Sequence, residues 1–417
     1  MQRREALAVP AYASMLFQAP LRGMSRTPPA LPDKKLLAAS PETYWARVRG
    51  EQFFLPNWRA FLNNGSLGVI AKPVYQSVVE YLNRAAALEM EEYPRWGYER
   101  LDAERTELAA FLGCSKDELA LTHNCTEAMS TIANGLDLKP GDEVLTTDQE
   151  HSGGLECWRL KQARAGVRVR TAKIPVSPKN PEEVADRVVS AIGPATRVLS
   201  FSGITTTTGL VLPVESICRA AREKGVVTVV DGAHMNGQIP VNLSALGCDY
   251  FAGSPHKWMF APAGCGILYG RGDQLDHLWP AVVSGGWDNK TELKAARFMM
   301  VGTNNRAIFQ GMIAGVRLLK ALGPEEVFSR LRQLSKRAME EAQKRRYVEV
   351  ITPDDGRLYG AMVAIQFKTD PRAAFEAMRK KGIWILGGNR MRLSFHVHTR
   401  PEDIESFFDV ADQYCNV

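Results

Sequence analysis

"GVVTVVDGAH", residues 225–234, is an apolar run rich in valine that stops at a carboxylate. Val226 to Val230 is short, without polar alternation, which is the pattern of a strand buried on both faces of a parallel sheet. Such a strand needs helices on either side, so the surrounding chain must alternate between short apolar runs and amphipathic stretches. It does. "ELALT" precedes "EAMSTIANGL", "DEVLTT" precedes "GGLECWRLKQARAG", "VRVRTAKI" precedes "PEEVADRVVSAI", and "RVLSFSGI" precedes "PVESICRAAREKG".

After about residue 305 the pattern changes to a long helical stretch through Arg346, then "GAMVAIQF", a helix at "PRAAFEAMRKKG", "MRLSF" and a final helix from Pro401. The expected fold class is α/β, a doubly wound, mostly parallel sheet over residues 61–305, with a smaller α+β domain over 306–417 and an N-terminal arm over 1–60.

Composition narrows the function. Of the net charge of +6, most comes from residues 1–50, with eight Lys/Arg against three Asp/Glu. The remainder is nearly balanced, which disfavours a basic nucleic-acid groove. Seven cysteines, an odd number with no CxxC pair, disfavour a disulfide framework or a structural zinc site and indicate a reducing compartment. His396 and His398 alternate on an expected strand without a third ligand, so no metal site is expected. No apolar run approaches the roughly 18 residues that span a bilayer. "MQRREALAVPAYASMLFQAPLRG", residues 1–23, places paired arginines before an uncharged run from Ala6 to Leu21. It resembles a degenerate twin-arginine export signal, against which stand Pro10, Tyr12 and Gln18; the other reading is a disordered or loosely docked N-terminal arm. The location is then cytoplasmic, or periplasmic after export in the folded state.

In parallel sheets ligands collect beyond the carboxyl ends of strands, so the residues just after each apolar run carry the chemistry. No GxGxxG follows the early strands, against a nicotinamide dinucleotide fold. Asp231 ends the strongest strand, where a carboxylate needs a cationic partner or a capping role. "CDYFAGS" then delivers Ser254, His256 and Lys257, the lysine 26 residues after Asp231. A desolvated lysine there is a Schiff-base nucleophile, because burial frees its amine. Together they pose a pyridoxal phosphate site: Lys257 on the aldehyde, Asp231 on the pyridine nitrogen. Asn124, Cys125 and Thr126 start a helix, where backbone N–H groups and the Thr126 hydroxyl suit a phosphate, or Asn124 or Thr126 is an ordinary N-cap. His151, after "EVLTTDQE", stands at the next strand end, placed to stack on a flat ring. The aromatic cluster "YPRWGYERL", with Trp96 and Tyr98, lines the site mouth, a dimer surface or the core.

With these residues in place the chain resembles the class V aminotransferase group of fold type I pyridoxal phosphate enzymes. The resemblance is carried by "FLNNGSLG", "NCTEAM", "DQEH", "SGITTTTGLVLPV", "VVDGAH", "SPHKW", "VGTNN" and "MRLSFHVHT" over about residues 60–410. Among the branches, "FLNNGSLG", "VVDGAH" and "RLSFHVHTRPEDI" look most like the isopenicillin N epimerase-like proteins. The resemblance implies an amino-acid substrate and a homodimer with shared sites. Lys257 would anchor the cofactor, Asp231 pair with the ring nitrogen, and His151 stack on the ring; these three are the catalytic candidates. Cys125, Thr126, Ser254 and His256 would hold the phosphate, and Thr303 would reach the phosphate of the neighbouring subunit. Arg392 would grip the substrate carboxylate, with Asn64 of "FLNNGSLG" also on the substrate side. Thr206 and His234 depart from the asparagine and glutamine common among relatives, although both remain candidate cofactor contacts. Cysteine desulfurases of this group use a cysteine on a loop before the arginine, and here no cysteine lies between Cys265 and Cys415. Epimerisation, transamination and β-elimination such as C–S lysis remain open, as does an inactive binding protein.

Overall fold

A computed structural model describes residues 30–87 and 100–415. The signal-like stretch 1–23 and the aromatic residues Trp96 and Tyr98 lie outside them. The strands in chain order are β1 (Ala60–Phe61), β2 (Leu119–Thr122), β3 (Glu143–Thr147), β4 (Arg168–Ala172), β5 (Thr196–Ser202), β6 (Val227–Asp231), β7 (Tyr250–Gly253), β8 (Gly266–Gly270), β9 (Val348–Val350), β10 (Met362–Phe367), β11 (Ile383–Trp384) and β12 (Arg390–Ser394).

The valine run is β6, at the centre of a seven-stranded sheet of order β2-β8-β7-β6-β5-β3-β4. Only β8 runs against its neighbours; every other adjacent pair that excludes it is parallel. The carboxyl ends of β2, β3, β5, β6 and β7 therefore open on one edge, with Asp231 in register with Ser202 on one side and Ala252 on the other. Helices bury both faces: Leu145, Leu199, Val230 and Phe251 point into one core, and Val144, Val198, Val229 and Ala252 into another. This is the doubly wound α/β fold that the alternating pattern predicts.

A three-stranded antiparallel sheet, β12-β10-β9, forms the smaller unit with the helices Arg372–Lys380 and Pro401–Cys415. The long helical stretch expected through Arg346 is two helices, Ala307–Leu322 and Pro324–Gln343. Gly323 breaks them at φ +92°, a conformation cheap only for glycine, and Pro324 opens the second helix where its missing N–H costs nothing.

The two units meet later in the chain than residue 306. Phe309, Met312 and Val316 pack into the large core, together with Val327, Phe328 and Leu331 of the next helix, whereas Leu334, Ala338 and Met339 enter the small one. Residues 34–52 are a packed helical pair with Tyr44, Trp45 and Val48 in the large core. Immediately after them β1 pairs in parallel with β11 of the small unit. Apolar periodicity identifies helices, but it does not say which core a helix joins. Among the described residues, no helix is long and apolar enough to cross a membrane.

Candidate active site

The strand ends enclose a cleft of about 410 Å³ lined by Cys125, Thr126, His151, Thr206, Asp231, Ser254, His256, Lys257 and Arg392 among others. Nine of the twelve predicted site residues thus converge from segments far apart in the chain. His234 stands directly behind them, its Nε2 3.1 Å from Lys257 Nζ.

Lys257 lies on a short helical turn, Pro255–Trp258, immediately after β7. The turn is clamped from the "FLNNGSLG" segment: Gly68 N–H donates to His256 O at 2.9 Å, and Asn64 Nδ2 donates to Lys257 O at 2.7 Å. A Cβ on Gly68 would fall 2.2 Å from Lys257 O, so only glycine permits this approach. Asn64 is fully buried and spends its other amide atom on His398 Nε2. It is absent from the cleft wall, so it holds the lysine turn rather than facing a substrate. Burial depresses the Lys257 ammonium pKa, with Asp231 and Cys125 opposing that shift and Arg392 adding to it.

His234 is held neutral chiefly by burial, reinforced by the charge of Lys257. Trp258 Nε1–H donates to His234 Nδ1 at 3.4 Å. The remaining proton is then on Nε2, which faces both the Lys257 amine and, at 3.3 Å, the Thr206 hydroxyl. The two residues that depart from the commoner family pattern thus contact each other beside the lysine.

His151 caps the helix Ser152–Ala165 by accepting from Gly153 N–H through Nδ1 at 3.0 Å. Burial, then Lys257, lowers its pKa, so the neutral ring carries its proton on Nε2. His256 Nδ1 lies 3.2 Å from the Cys265 carbonyl and donates to it, which leaves Nε2 as its other ring nitrogen.

At the start of the helix Cys125–Gly135, Asn124 caps by accepting from Glu127 N–H at 2.9 Å, so the N-cap reading of Asn124 holds. Asn124, Cys125 and Thr126 line the cleft, so the positive end of the helix dipole lies on its wall. The Cys125 side chain turns elsewhere: its Sγ donates to Asp231 Oδ1 at 3.2 Å. A Cβ on Gly154 would lie 2.6 Å from Asp231 Oδ2, so only glycine lets this helix approach the carboxylate so closely.

Arg392, on β12, is only 3 % exposed yet reaches the cleft. It donates to Thr206 O at 3.0 Å, Ser66 Oγ at 3.0 Å and Asn63 Oδ1 at 3.1 Å. All three partners are neutral, and burial lowers its pKa to about 10. Thr303 is exposed and outside the cleft of its own chain.

Ser66, Asn63, Trp258 and Leu386 went unassigned in the sequence. Ser66 and Asn63 lie in "FLNNGSLG", where polar residues beside glycine in an otherwise apolar segment are the available signal. Leu386, 44 % exposed on the turn before Arg392, has none. His396 is satisfied locally: Nε2 donates to Trp258 O at 3.0 Å while Nδ1 accepts from Val397 N–H at 2.8 Å.

Residues 61–407 match the family described as aminotransferase class-V. The chain belongs to that family. Isopenicillin N epimerase of Amycolatopsis lactamdurans is 34 % identical over 375 residues, 86 % of this chain and 92 % of that protein. Isopenicillin N epimerase of Streptomyces clavuligerus is 31 % identical over 392 residues, 88 % and 98 % of the two chains. A probable cysteine desulfurase of Xylella fastidiosa is 31 % identical over 256 residues, 59 % of this chain and 60 % of that one. Among solved structures, the cysteine desulfurase of Thermococcus onnurineus superposes with a TM-score of 0.78 at 23 % identity, covering 88 % of this chain and 97 % of its own. In this class V chain the cofactor is pyridoxal 5'-phosphate. The cleft suits it: an amine for the aldehyde, a helix start for the phosphate, and a carboxylate on the cleft wall for the ring nitrogen.

Proposed function

We propose that this class V enzyme inverts the Cα configuration of an amino-acid substrate, with Arg392 receiving the carboxylate and Lys257 exchanging the Cα proton. The observation that carries the reading is Arg392, a buried cation on the wall of the lysine cleft whose hydrogen-bond partners are all neutral. A buried cation of this kind favours an incoming carboxylate, which the planar guanidinium binds through two parallel bonds. The bound cofactor supplies an electron sink for charge left at Cα. Thr126, Ser254 and His256 hold its phosphate end, Asp231 its ring nitrogen, and Thr206 with His234 the edge nearest the lysine.

Inversion requires one group that accepts a proton and another that returns one. Lys257, with its depressed pKa, supplies the accepting amine, and His151, once protonated, returns a proton through Nε2. The near full-length similarity to two isopenicillin N epimerases supports this choice. Persulfide chemistry is not proposed: no cysteine lies between Cys265 and Cys415, and Leu386 occupies the turn before the arginine. The working form is a homodimer in which Thr303 reaches the neighbouring subunit's phosphate.

The test is a screen of amino acids in deuterated water, with products identified by mass and chirality. Inverted chirality with one deuteron at Cα is expected; a keto acid would assign transamination instead, and loss of a β-substituent would assign elimination. Lys257→Ala should lower turnover about 10²–10⁴-fold and abolish the cofactor adduct fixed by borohydride. An adduct that persists in the variant would remove Lys257 from its role.

A further inference from the structure

The two oxygens of Asp231 have different surroundings. Oδ1 accepts from Ala233 N–H at 3.0 Å and from the Cys125 thiol at 3.2 Å. Oδ2 takes part in neither bond and lies close against Gly154, where a Cβ would fall 2.6 Å from it. Cys125 is buried, and burial followed by the nearby Asp231 charge pushes its pKa well above the ordinary thiol value. The sulfur therefore keeps its hydrogen and donates, and the carboxylate accepts. The same residue begins the helix Cys125–Gly135, and its backbone N–H donates to Ser254 Oγ at 3.4 Å. A single residue thus ties the phosphate end of the cleft to the ring-nitrogen end.

We propose that Cys125 is a positioning residue whose thiol, with the Ala233 amide, occupies Oδ1 of Asp231 and so presents Oδ2 to the nitrogen of the bound pyridine ring. This rests on the pyridoxal phosphate reading of the cleft. A carboxylate held by one oxygen cannot rotate, and the thiol draws charge from it. Serine at 125 preserves a donor, and alanine removes it while leaving the helix start intact.

Two measurements test the proposal separately from the cofactor. In the apoprotein, the infrared S–H stretching band obtained by subtracting Cys125→Ala from wild type should be displaced to lower frequency relative to an unbonded thiol. It should return when Asp231 is replaced by alanine. An undisplaced band overturns the proposal whatever the cofactor does. In the loaded protein, the pH midpoint of the visible cofactor band should move by about half a unit to one unit in Cys125→Ala and lie near wild type in Cys125→Ser. An alanine variant that titrates like wild type overturns the proposal. If wild type develops no band at all, the cofactor reading itself fails, and the positioning role falls with it although the apoprotein band is unchanged.

Discussion

Arg392 shows how much a single side chain depends on groups remote in sequence. Its neutral partners, Asn63, Ser66 and the Thr206 carbonyl, come from two other segments and fix the guanidinium without discharging it. With a pKa of about 10 it stays charged at neutral pH, a buried cation on the cleft wall with neutral partners. Hydrogen bonds to charged groups contribute about 1.5–3 kcal/mol each, so losing two corresponds to roughly 10²–10⁴-fold. Arg392→Ala should lower kcat/KM by that order while cofactor binding stays intact. Arg392→Lys should restore little, since a single ammonium has no fork. Amines lacking a carboxylate should be indifferent to the change; if they lose as much, the clamp role is wrong. The resemblance singled out this arginine through "MRLSF", because a motif preserves residue type and order. It could not identify the Ser66 contact, which the fold makes across 326 positions.

At the scale of elements, strand order decides the environment of Glu150. It follows β3, which lies beside β5 because β4 is placed at the sheet edge. Glu150 is thereby enclosed, accepting from Thr147 Oγ1 at 2.5 Å and from Ser202 Oγ at 2.6 Å. Burial raises its pKa from 4.5 to about 7, with the two hydroxyls opposing and Asp231 adding to the rise. The folded state therefore holds this proton more tightly than the unfolded chain. The resulting stabilisation is fully present below pH 4.5 and is lost as pH rises through 7, a change of roughly 3 kcal/mol. Glu150→Gln should gain stability relative to wild type between pH 5 and pH 8, measured by denaturant unfolding of the apoprotein. A difference that does not change with pH would show that this carboxyl does not titrate there. The sheet and the strand ends were legible from apolar runs and punctuation, whereas the point at which the chain passes into the smaller unit was not. Sheet order was not, since it is set by how helices cover the two faces rather than by any local pattern.

For the whole molecule, the exposed position of Thr303 outside its own cleft matters most. Trp279, Val282, Val283 and Trp287 also leave a large apolar surface uncovered, as a subunit contact would require. Sedimentation should therefore give a dimer. Mixing Lys257→Ala chains with Thr303→Ala chains should yield, at limiting cofactor, more activity than the mean of the two parents, because each mixed dimer rebuilds one intact site. Activity equal to that mean would separate Thr303 from the neighbouring site.

The helix Pro324–Gln343 passes from one core to the other within a single turn, between Leu331 and Leu334. It makes the molecule a caliper with a fixed spine. Lys257, after β7, stands on one jaw and Arg392, on β12, stands on the other. If the two residues take the amine and the carboxylate as proposed, the separation of the jaws selects substrates by length, and α-amino acids should be turned over in preference to homologues with a longer spacing between the two groups.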